Sequence, residues 1–309
     1  MSEVKNIKVG IVTPVHNRRD LTLLCLQSLA RIEREGLDIH IVIVDDGSTD
    51  GTSEAVEEKF PEVEIIKGDG NLWFTEGTNV GVRAALKHNP DYILMINDDQ
   101  IFDSNFLSFM VETAEKNSRS IVGSLLLLWD TPHKIFQVAP RWETFSGGWR
   151  HWQRQTVWTI PQNAWAVEII VGNCLLLPVE AIKEAGLMNS KRYPNFGDAE
   201  YTPRLRKKGW TLLIDPRARV FCQPNNLPAK IKKMSVRQKY EALFVNLGHI
   251  HNLRRRFYSN IDGAPTKLQG AAAFCFFLVR AVFGKSAENY EWASKQPEKN
   301  LIEIIKTKS

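Results

Sequence analysis

Four apolar runs in the first hundred residues, three of them ending on an acid, restrict the architecture of this chain more than any other feature. KVGIVTPV (Lys8 to Val15), HIVIVDD (His40 to Asp46), VEIIKGD (Val63 to Asp69) and YILMIND (Tyr92 to Asp98) are short, rich in β-branched residues and nearly continuous in hydrophobicity. Such runs read as strands buried on both faces. Between them, RDLTLLCLQSLARIEREG, TSEAVEEKF and TNVGVRAALKHN carry helical spacing, the first up to a stop at Gly36. Strands and helices alternating at this length need right-handed crossovers, which predicts an α/β fold, a mostly parallel central sheet covered by helices on both faces. Ligands bind such sheets beyond the carboxyl ends of the strands. HNRRD, DDGSTD, GDGN and NDDQ all fall there.

From Ser120 the rhythm loosens into SIVGSLLLLWD, a Trp-rich stretch from Arg141 to Trp165, the run VEIIVGNCLLLP, a short helix VEAIKEAG and a helix from about Asp198 to Lys208. WTLLIDPRARVFC returns as a last strand or pair. Past Gln223 the pattern changes to basic helices without strands and one apolar piece, LQGAAAFCFFLVRAVF. The expected organisation is a catalytic domain over residues 1–223 and a helical extension over 224–309.

Forty Lys and Arg against thirty-five Asp and Glu give a formal charge of +5, too mild and dispersed to imply a nucleic-acid partner. The excess is local, in KIKKMSVRQK (Lys230 to Lys239) and Arg254 to Arg256. The four cysteines, Cys25, Cys174, Cys222 and Cys275, are far apart and each in apolar sequence. They read as buried thiols in a reduced compartment, and zinc is not expected. MSEVKNIKVG has no apolar signal core and no run reaches the roughly 18 residues of a spanning helix. A cytoplasmic protein is expected. The basic, apolar extension suits peripheral contact with the inner face of the plasma membrane, packing on the catalytic domain or a dimer contact.

Each strand-end segment has a plain reading beside a functional one. DDGSTDGT makes a good turn and helix cap, which explains Gly47, Ser48 and Asp50 but leaves Asp45 and Asp46, placed where acids accept hydrogen bonds from a nucleotide. GNLWFTEGTNVGVRAAL joins a glycine turn at Gly70 and Asn71 to a helix start whose free N–H groups suit a diphosphate, while Gly77 and Gly81 also suit close packing. Two adjacent acids, Asp98 and Asp99, at the mouth of a buried strand are costly unless something positive sits there, and a hard divalent cation is one answer. Asp198, after a glycine at the head of a basic helix, is placed either as an ordinary partner of the helix dipole or as a base for an incoming hydroxyl. Trp142, Trp149, Trp152, Trp158 and Trp165 are more than half of the nine tryptophans. They are candidates to stack on an acceptor sugar, though some are expected to fill core, and Trp73 could face the donor sugar.

Taken in this order, the segments resemble an inverting glycosyltransferase of family two with the GT-A fold, over about residues 7 to 223. The resemblance implies that Pro14, His16, Asn17 and Arg18 (PVHNR) and Asp45 with Asp46 (DDGSTD) bind the nucleotide, Asp46 through base or ribose. Asn79, with Gly81, matches the family's N-x-G helix start. Asn97 to Asp99 stands where the family has its D-x-D motif, so Asp98 and Asn97 border the diphosphate and Asp99 holds Mg2+ or Mn2+. Asp198 falls on the catalytic aspartate. Three departures stand out: Asn97 replaces the first acid, Gly197 replaces a Glu before the base, and VFCQPNN lacks the histidine often found after the last strand. The implied function is transfer of a sugar from a UDP-, dTDP- or GDP-linked donor to a glycan or lipid-linked acceptor in surface polysaccharide synthesis. The segment around NDD leans toward a rhamnosyl or other deoxyhexosyl donor. A non-catalytic sugar-nucleotide-binding scaffold of the same fold, and a sugar nucleotidyltransferase, are the alternatives. The latter calls for a glycine-rich loop where PVHNRRD stands.

Overall fold

A computed structural model of the chain describes residues 6–137, 141–150, 152, 155–172, 174–222 and 234–283. The alternating half is β1 (Ile7–Val15), α1 (Arg19–Leu29), β2 (Leu37–Asp45), α2 (Thr52–Lys59), β3 (Glu64–Lys67), α3 (Trp73–Ala85) and β4 (Tyr92–Ile96). Next come β5 (Gln100–Phe102), α4 (Phe106–Lys116), β6 (Ser120–Leu128) and β7 (Ile135–Gln137). The hairpin β8 (Arg141–Glu143) and β9 (Gly148–Arg150) precedes β10 (Trp165–Ala166) and β11 (Cys174–Pro178). Then follow α5 (Val179–Ala185), α6 (Asp198–Lys207), β12 (Thr211–Cys222), α7 (Val236–Tyr240), α8 (Leu253–Gly263) and α9 (Lys267–Phe283).

The main sheet runs β10-β12-β6-β11-β4-β1-β2-β3, with β5 added to β12 and β7 to β6. β3, β2, β1 and β4 are all parallel, as the strand–helix alternation requires. Together with the helices on both faces this is the α/β sandwich that the strand–helix alternation predicts. Ile11, Ile43, Leu94 and Leu176 pack with α1 and α4 on one face; Val12, Val42, Met95 and Leu175 pack with α3, α5 and α6 on the other. β11 enters antiparallel between β4 and β6, with Cys174 opposite Ile96. Its direction is hidden in the sequence, because a strand buried on both faces is equally apolar whichever way it runs. The reversal matters: it starts β11 at the carboxyl end of β4 and sets the preceding residues 170–172 beside the NDD turn.

Three expectations change. The first helix ends at Leu29, and Gly36 (φ +71°) belongs to the turn into β2. α3 starts at Trp73 instead of near Thr78, so Asn79 and Gly81 sit inside it. Cys275 is exposed, whereas Cys25, Cys174 and Cys222 are buried thiols as expected. WTLLIDPRARVFC forms one long strand with an irregularity between Asp215 and Arg219, where Pro216 has no N–H to give the ladder.

The extension packs back on the rest of the chain. α8 lies against α6 and α9, and α9 covers β9 and the turn Thr144–Ser146. Arg192 Nη1 and the Tyr193 hydroxyl both donate to Oδ2 of Asp262 in α8, at 2.7 and 2.8 Å. The expected boundary at Gln223, the stretch QPNN and the KIKK cluster lie outside the described residues. Among the described residues no helix is long and apolar enough to cross a membrane.

Candidate active site

The carboxyl ends of β2, β1 and β4 carry their loops to one edge of the sheet, and hydrogen bonds stitch those loops together. Asn17, held in the left-handed region (φ +52°), accepts from Thr49 N at 2.7 Å, and its own N–H donates to Ser48 Oγ at 2.9 Å. Arg19 N donates to Asp50 at 2.9 Å, and His16 Nδ1 lies 2.6 Å from the Asp46 carbonyl oxygen. PVHNR and DDGSTD are therefore one surface. Pro14 packs against α3, near enough to Gly77 that a Cβ there would stand 2.9 Å from the proline ring.

Asp45 and Asp46, both buried, do different work. Asp45 accepts from Ser48 N at 2.9 Å and from the Ser53 hydroxyl, so it fastens its own turn to α2. Asp46 reaches across to the next loop and accepts from the N–H groups of Gly70, Leu72 and Trp73 at 2.8, 3.2 and 3.0 Å. It caps α3 from outside, and an acid at a helix N-terminus is stabilised by the dipole as well. The donors that a diphosphate would have used at this helix start are committed, since Thr75 N donates to the Pro194 carbonyl as well. Gly70 takes φ +87°, and Asn71 at the loop tip is exposed, its N–H on Asp69.

Asn79 is not brought to this edge. It is 2% exposed, and its amide donates to the Met188 carbonyl at 2.9 Å while accepting from Met188 N at 3.1 Å, which docks α3 on residues 187–190. Gly81 is a packing glycine, since a Cβ there would stand 2.3 Å from Val12 Cγ1.

The acids after β4 have a positive partner. Arg18 places Nη1 2.9 Å from Asp98 and Nη2 3.0 Å from Asp99, both of which are nearly inaccessible to solvent. One guanidinium does not cancel two carboxylates. Burial pushes Asp98 up to about 7, with Arg18 pulling against the shift and Asp99 adding to it. Beside them the side-chain oxygen of Asn97 is buried with no hydrogen-bond partner. An orphaned carbonyl oxygen next to an excess negative charge is a donor set suited to a hard cation.

Asp198 opens α6, half-buried, and accepts from Gly172 N at 2.9 Å. Gly172 permits this closeness, because a Cβ there would stand 2.7 Å from Asp198 Cβ. Burial raises the Asp198 pKa, while the Gly172 N–H and the charge of Arg255 oppose the rise. A raised carboxylate with one oxygen tied by a backbone donor is a competent proton acceptor. Glu200 is different: it pairs with Arg204 at 2.6 Å, and Arg204 also donates to the carbonyls of Ala185 and Leu187, so this pair holds α6 to α5.

Arg255 and Gly172 were not among the residues singled out from the sequence, although both lie in quoted segments, RRR and VGN. The Arg255 guanidinium stacks 4.3 Å over the Phe196 ring. Gly248 lies against exposed Trp73, so close that a Cβ would stand 2.9 Å from the indole. The tryptophan-rich stretch divides. Trp142 and Trp149 meet edge-on at 5.1 Å beneath the extension, Trp149 against Gly263. Trp152 stacks on Trp165 at 6.2 Å, and Trp158 on His133 at 5.6 Å with its outer face open.

Residues 10–160 match the family model described as glycosyl transferase family 2. Among curated relatives, the N-acetylglucosaminyl-diphospho-decaprenol L-rhamnosyltransferase of Mycobacterium tuberculosis is 23% identical over 206 residues, covering 59% of this chain and 66% of the relative. The chain thus matches just under two-thirds of that relative's length. Among solved structures, GalNAc-T7 with UDP, GalNAc and Mn2+ superposes with a TM-score of 0.61 at 13% identity, covering 94% of this chain and 58% of the other. S. aureus TarS 1–349 gives 0.53 at 14% identity, covering 94% and 76%. The family match covers residues 10–160, just under half of the chain and the part that builds the cleft, and over that part the chain is similar to glycosyl transferase family 2.

Proposed function

We propose that this chain transfers a sugar, with inversion at the anomeric carbon, from a nucleotide-diphosphate donor to a hydroxyl of a glycan or lipid-linked acceptor in surface polysaccharide synthesis. The observation that carries it is the gathering of Asp46, Asp98, Asp99 and the Gly172–Asp198 pair at one edge of the sheet, through the β2, β4 and β11 termini. Each acid there has its own environment, and one is set up as a base.

The fused surface of His16 to Arg18 and Asp45 to Asp50 supports nucleotide binding, with Asp46 fixing the loop from Gly70 to Trp73 as its far wall. Asp98 and Asp99, with the unpartnered Asn97 oxygen, would hold Mg2+ or Mn2+ beside the diphosphate. The Mn2+ in the GalNAc-T7 structure accords with this chemistry. Such a cation, when bound, supplies positive charge to the leaving group. Arg18 keeps the two acids together and adds a second positive group at the same place. Asp198, with Oδ2 on Gly172 N, takes the proton of the attacking hydroxyl through its other oxygen. The positive charge of Arg255 works against the rise that burial gives that carboxylate.

The name of the Mycobacterium relative supports a finer reading, a deoxyhexosyl donor and a diphospholipid acceptor. Membrane contact fits that reading. Leu268, Phe276 and Val279 are exposed along α9, next to exposed Phe145, with Lys267 and Arg280 on the same helix. Flotation with anionic liposomes should carry the protein at low salt. Recovery in the bottom fraction would remove the membrane from the proposal.

The deciding experiment is a panel of UDP-, dTDP- and GDP-sugars, with and without Mn2+, read as donor turnover in the presence of acceptor extract. Asp198→Asn should bind nucleotide normally and lose at least about 100-fold in turnover, the lower end of general-base assistance. Nucleotide binding without turnover by the unaltered protein would favour the scaffold.

A further inference from the structure

At the amino end of the sheet, away from the cleft, three side chains from separate elements meet. β2 and β3 pair in parallel with Val42 opposite Glu64. His40, two residues before Val42, therefore shares a face with Glu64. That face is covered by α3, since Val42 packs with Val82 and Ala85. α3 ends in a 3-10 turn, Leu86–His88, which lays His88 on the same spot. Nε2 of His40 and Nε2 of His88 both reach one oxygen, Oε2 of Glu64, at 2.7 and 3.0 Å. The imidazole centroids are 3.8 Å apart, and the three ligand atoms all lie within 4.8 Å of one another.

We propose that His40, Glu64 and His88 form a binding site for a borderline divalent transition metal, Zn2+ first among them, distinct from the oxygen-lined acids at Asp98 and Asp99. Two imidazoles and a carboxylate are the donor set of three-residue zinc sites, whereas Mg2+ and Mn2+ favour oxygen. Tetrahedral bonds of about 2.0–2.1 Å put neighbouring ligand atoms roughly 3.3–3.5 Å apart, so small side-chain rotations admit the ion. Each imidazole then carries its proton on Nδ1, releasing Nε2 as the ligand. The three side chains are 32%, 34% and 47% exposed, which leaves a path for entry. A cavity of about 250 Å3 adjoins the two histidines, and its other walls include Lys8 and Asp38, whose charges offset each other. This is room for a water as fourth ligand. The cysteine pattern that speaks against zinc does not see such a site, because it uses no thiol.

The ion would tie β3, the edge strand, to β2 and to the end of α3, whose other end is capped by Asp46 in the cleft. Titration calorimetry of the full chain with ZnCl2, in excess Mg2+ to fill the acids at Asp98 and Asp99, should give one saturable site. Co2+ should give the visible absorption of a four-coordinate ion. His40→Ala and His88→Ala should each weaken Zn2+ binding at least about tenfold, since even outer partners of metal ligands cost 10–100-fold. Asp99→Asn should leave it unchanged. Glu64→Gln keeps the shape of the cluster and should weaken binding if the histidine variants prove unstable. Absence of a saturable site, or undiminished affinity in the histidine and Glu64 variants, overturns the proposal. It leaves the transferase reading untouched, because the donor panel reads a different edge of the sheet.

Discussion

Nη2 of Arg18 lies 3.0 Å from Oδ2 of Asp99, so an arginine from the first strand-end loop already engages the acid proposed to hold a cation. The same guanidinium holds Asp98 at 2.9 Å. Arginine and cation are thus partial substitutes at one cluster of negative charge. Removing one side of a buried pair leaves an uncompensated charge, which typically costs about 3–5 kcal/mol. Arg18 is a third exposed, so the loss here falls below that range, at about 2–3 kcal/mol.

Arg18→Met should accordingly lower the denaturation midpoint in metal-free buffer, and MnCl2 should restore most of the loss. Asp99→Asn should abolish the restoration. Urea melts of the two variants with and without Mn2+ check both statements. A midpoint in Arg18→Met that ignores Mn2+ would show that the acids do not take the ion.

The second prediction concerns pH. Burial holds the Asp198 pKa above its ordinary value, so the proposed base is protonated and idle at low pH, and turnover should rise with pH through a value above the usual carboxylate range. The charge of Arg255 opposes that shift, so Arg255→Met should move the acid limb of kcat to still higher pH. Linkage gives an independent check. A carboxylate with a raised folded pKa contributes stability below its unfolded pKa and loses it as pH rises through the folded one. Asp198→Asn should therefore be more stable than the unaltered chain at pH 7.5, with the advantage shrinking toward acid pH.

The four parallel strands and the loops at their carboxyl ends were legible because burial on two faces leaves uninterrupted apolar runs, and because acids at strand ends have few plain uses. What escaped was long-range. The start of α3 is fixed by Asp46, more than twenty residues upstream, and nothing in GNLWFTEG itself announces that cap. A start near Thr78 puts Asn79 at the head of the helix, whereas in the longer helix its amide is bonded to Met188. Arg18 was expected at the nucleotide, and its grip on acids 80 residues away is a product of β1 and β4 being neighbours. Gly172 depends on the antiparallel entry of β11, the one direction that hydrophobic pattern does not encode.

The docking role of Asn79 is itself testable. Asn79→Ala strands the Met188 N–H and carbonyl in a buried place, and an unsatisfied buried group costs about 1–3 kcal/mol. Gly81→Ala, which drives a methyl into Val12, should cost a similar amount by overpacking. Both variants should melt earlier yet bind nucleotide within about threefold of the unaltered chain, measured at a temperature well below the transition. A large, selective loss of nucleotide affinity in Asn79→Ala would return that residue to the donor site.

The last prediction follows α8 back to the cleft. Asp262 accepts from Arg192 and Tyr193, and its own carbonyl accepts from Lys207 at 2.8 Å, so one residue fastens α8 to the loop before Asp198 and to the end of α6. At the other end of α8 stands Arg255. Burial and the hydrogen bond to Asp262 both push the Tyr193 hydroxyl strongly upward, so the tyrosine stays neutral and donates at any working pH. Asp262→Asn weakens two charge-assisted donors without emptying the space, and hydrogen bonds to charged groups contribute about 1.5–3 kcal/mol. Hydrogen exchange should quicken over residues 253–263 while β1 and β4 remain protected. Because Arg255 rides on that helix, the acid limb of kcat should move in the same direction as in Arg255→Met, but less. A change in exchange with no movement of the limb would mean that Arg255 keeps its place over Phe196 without the clamp, and that α6 alone positions the base.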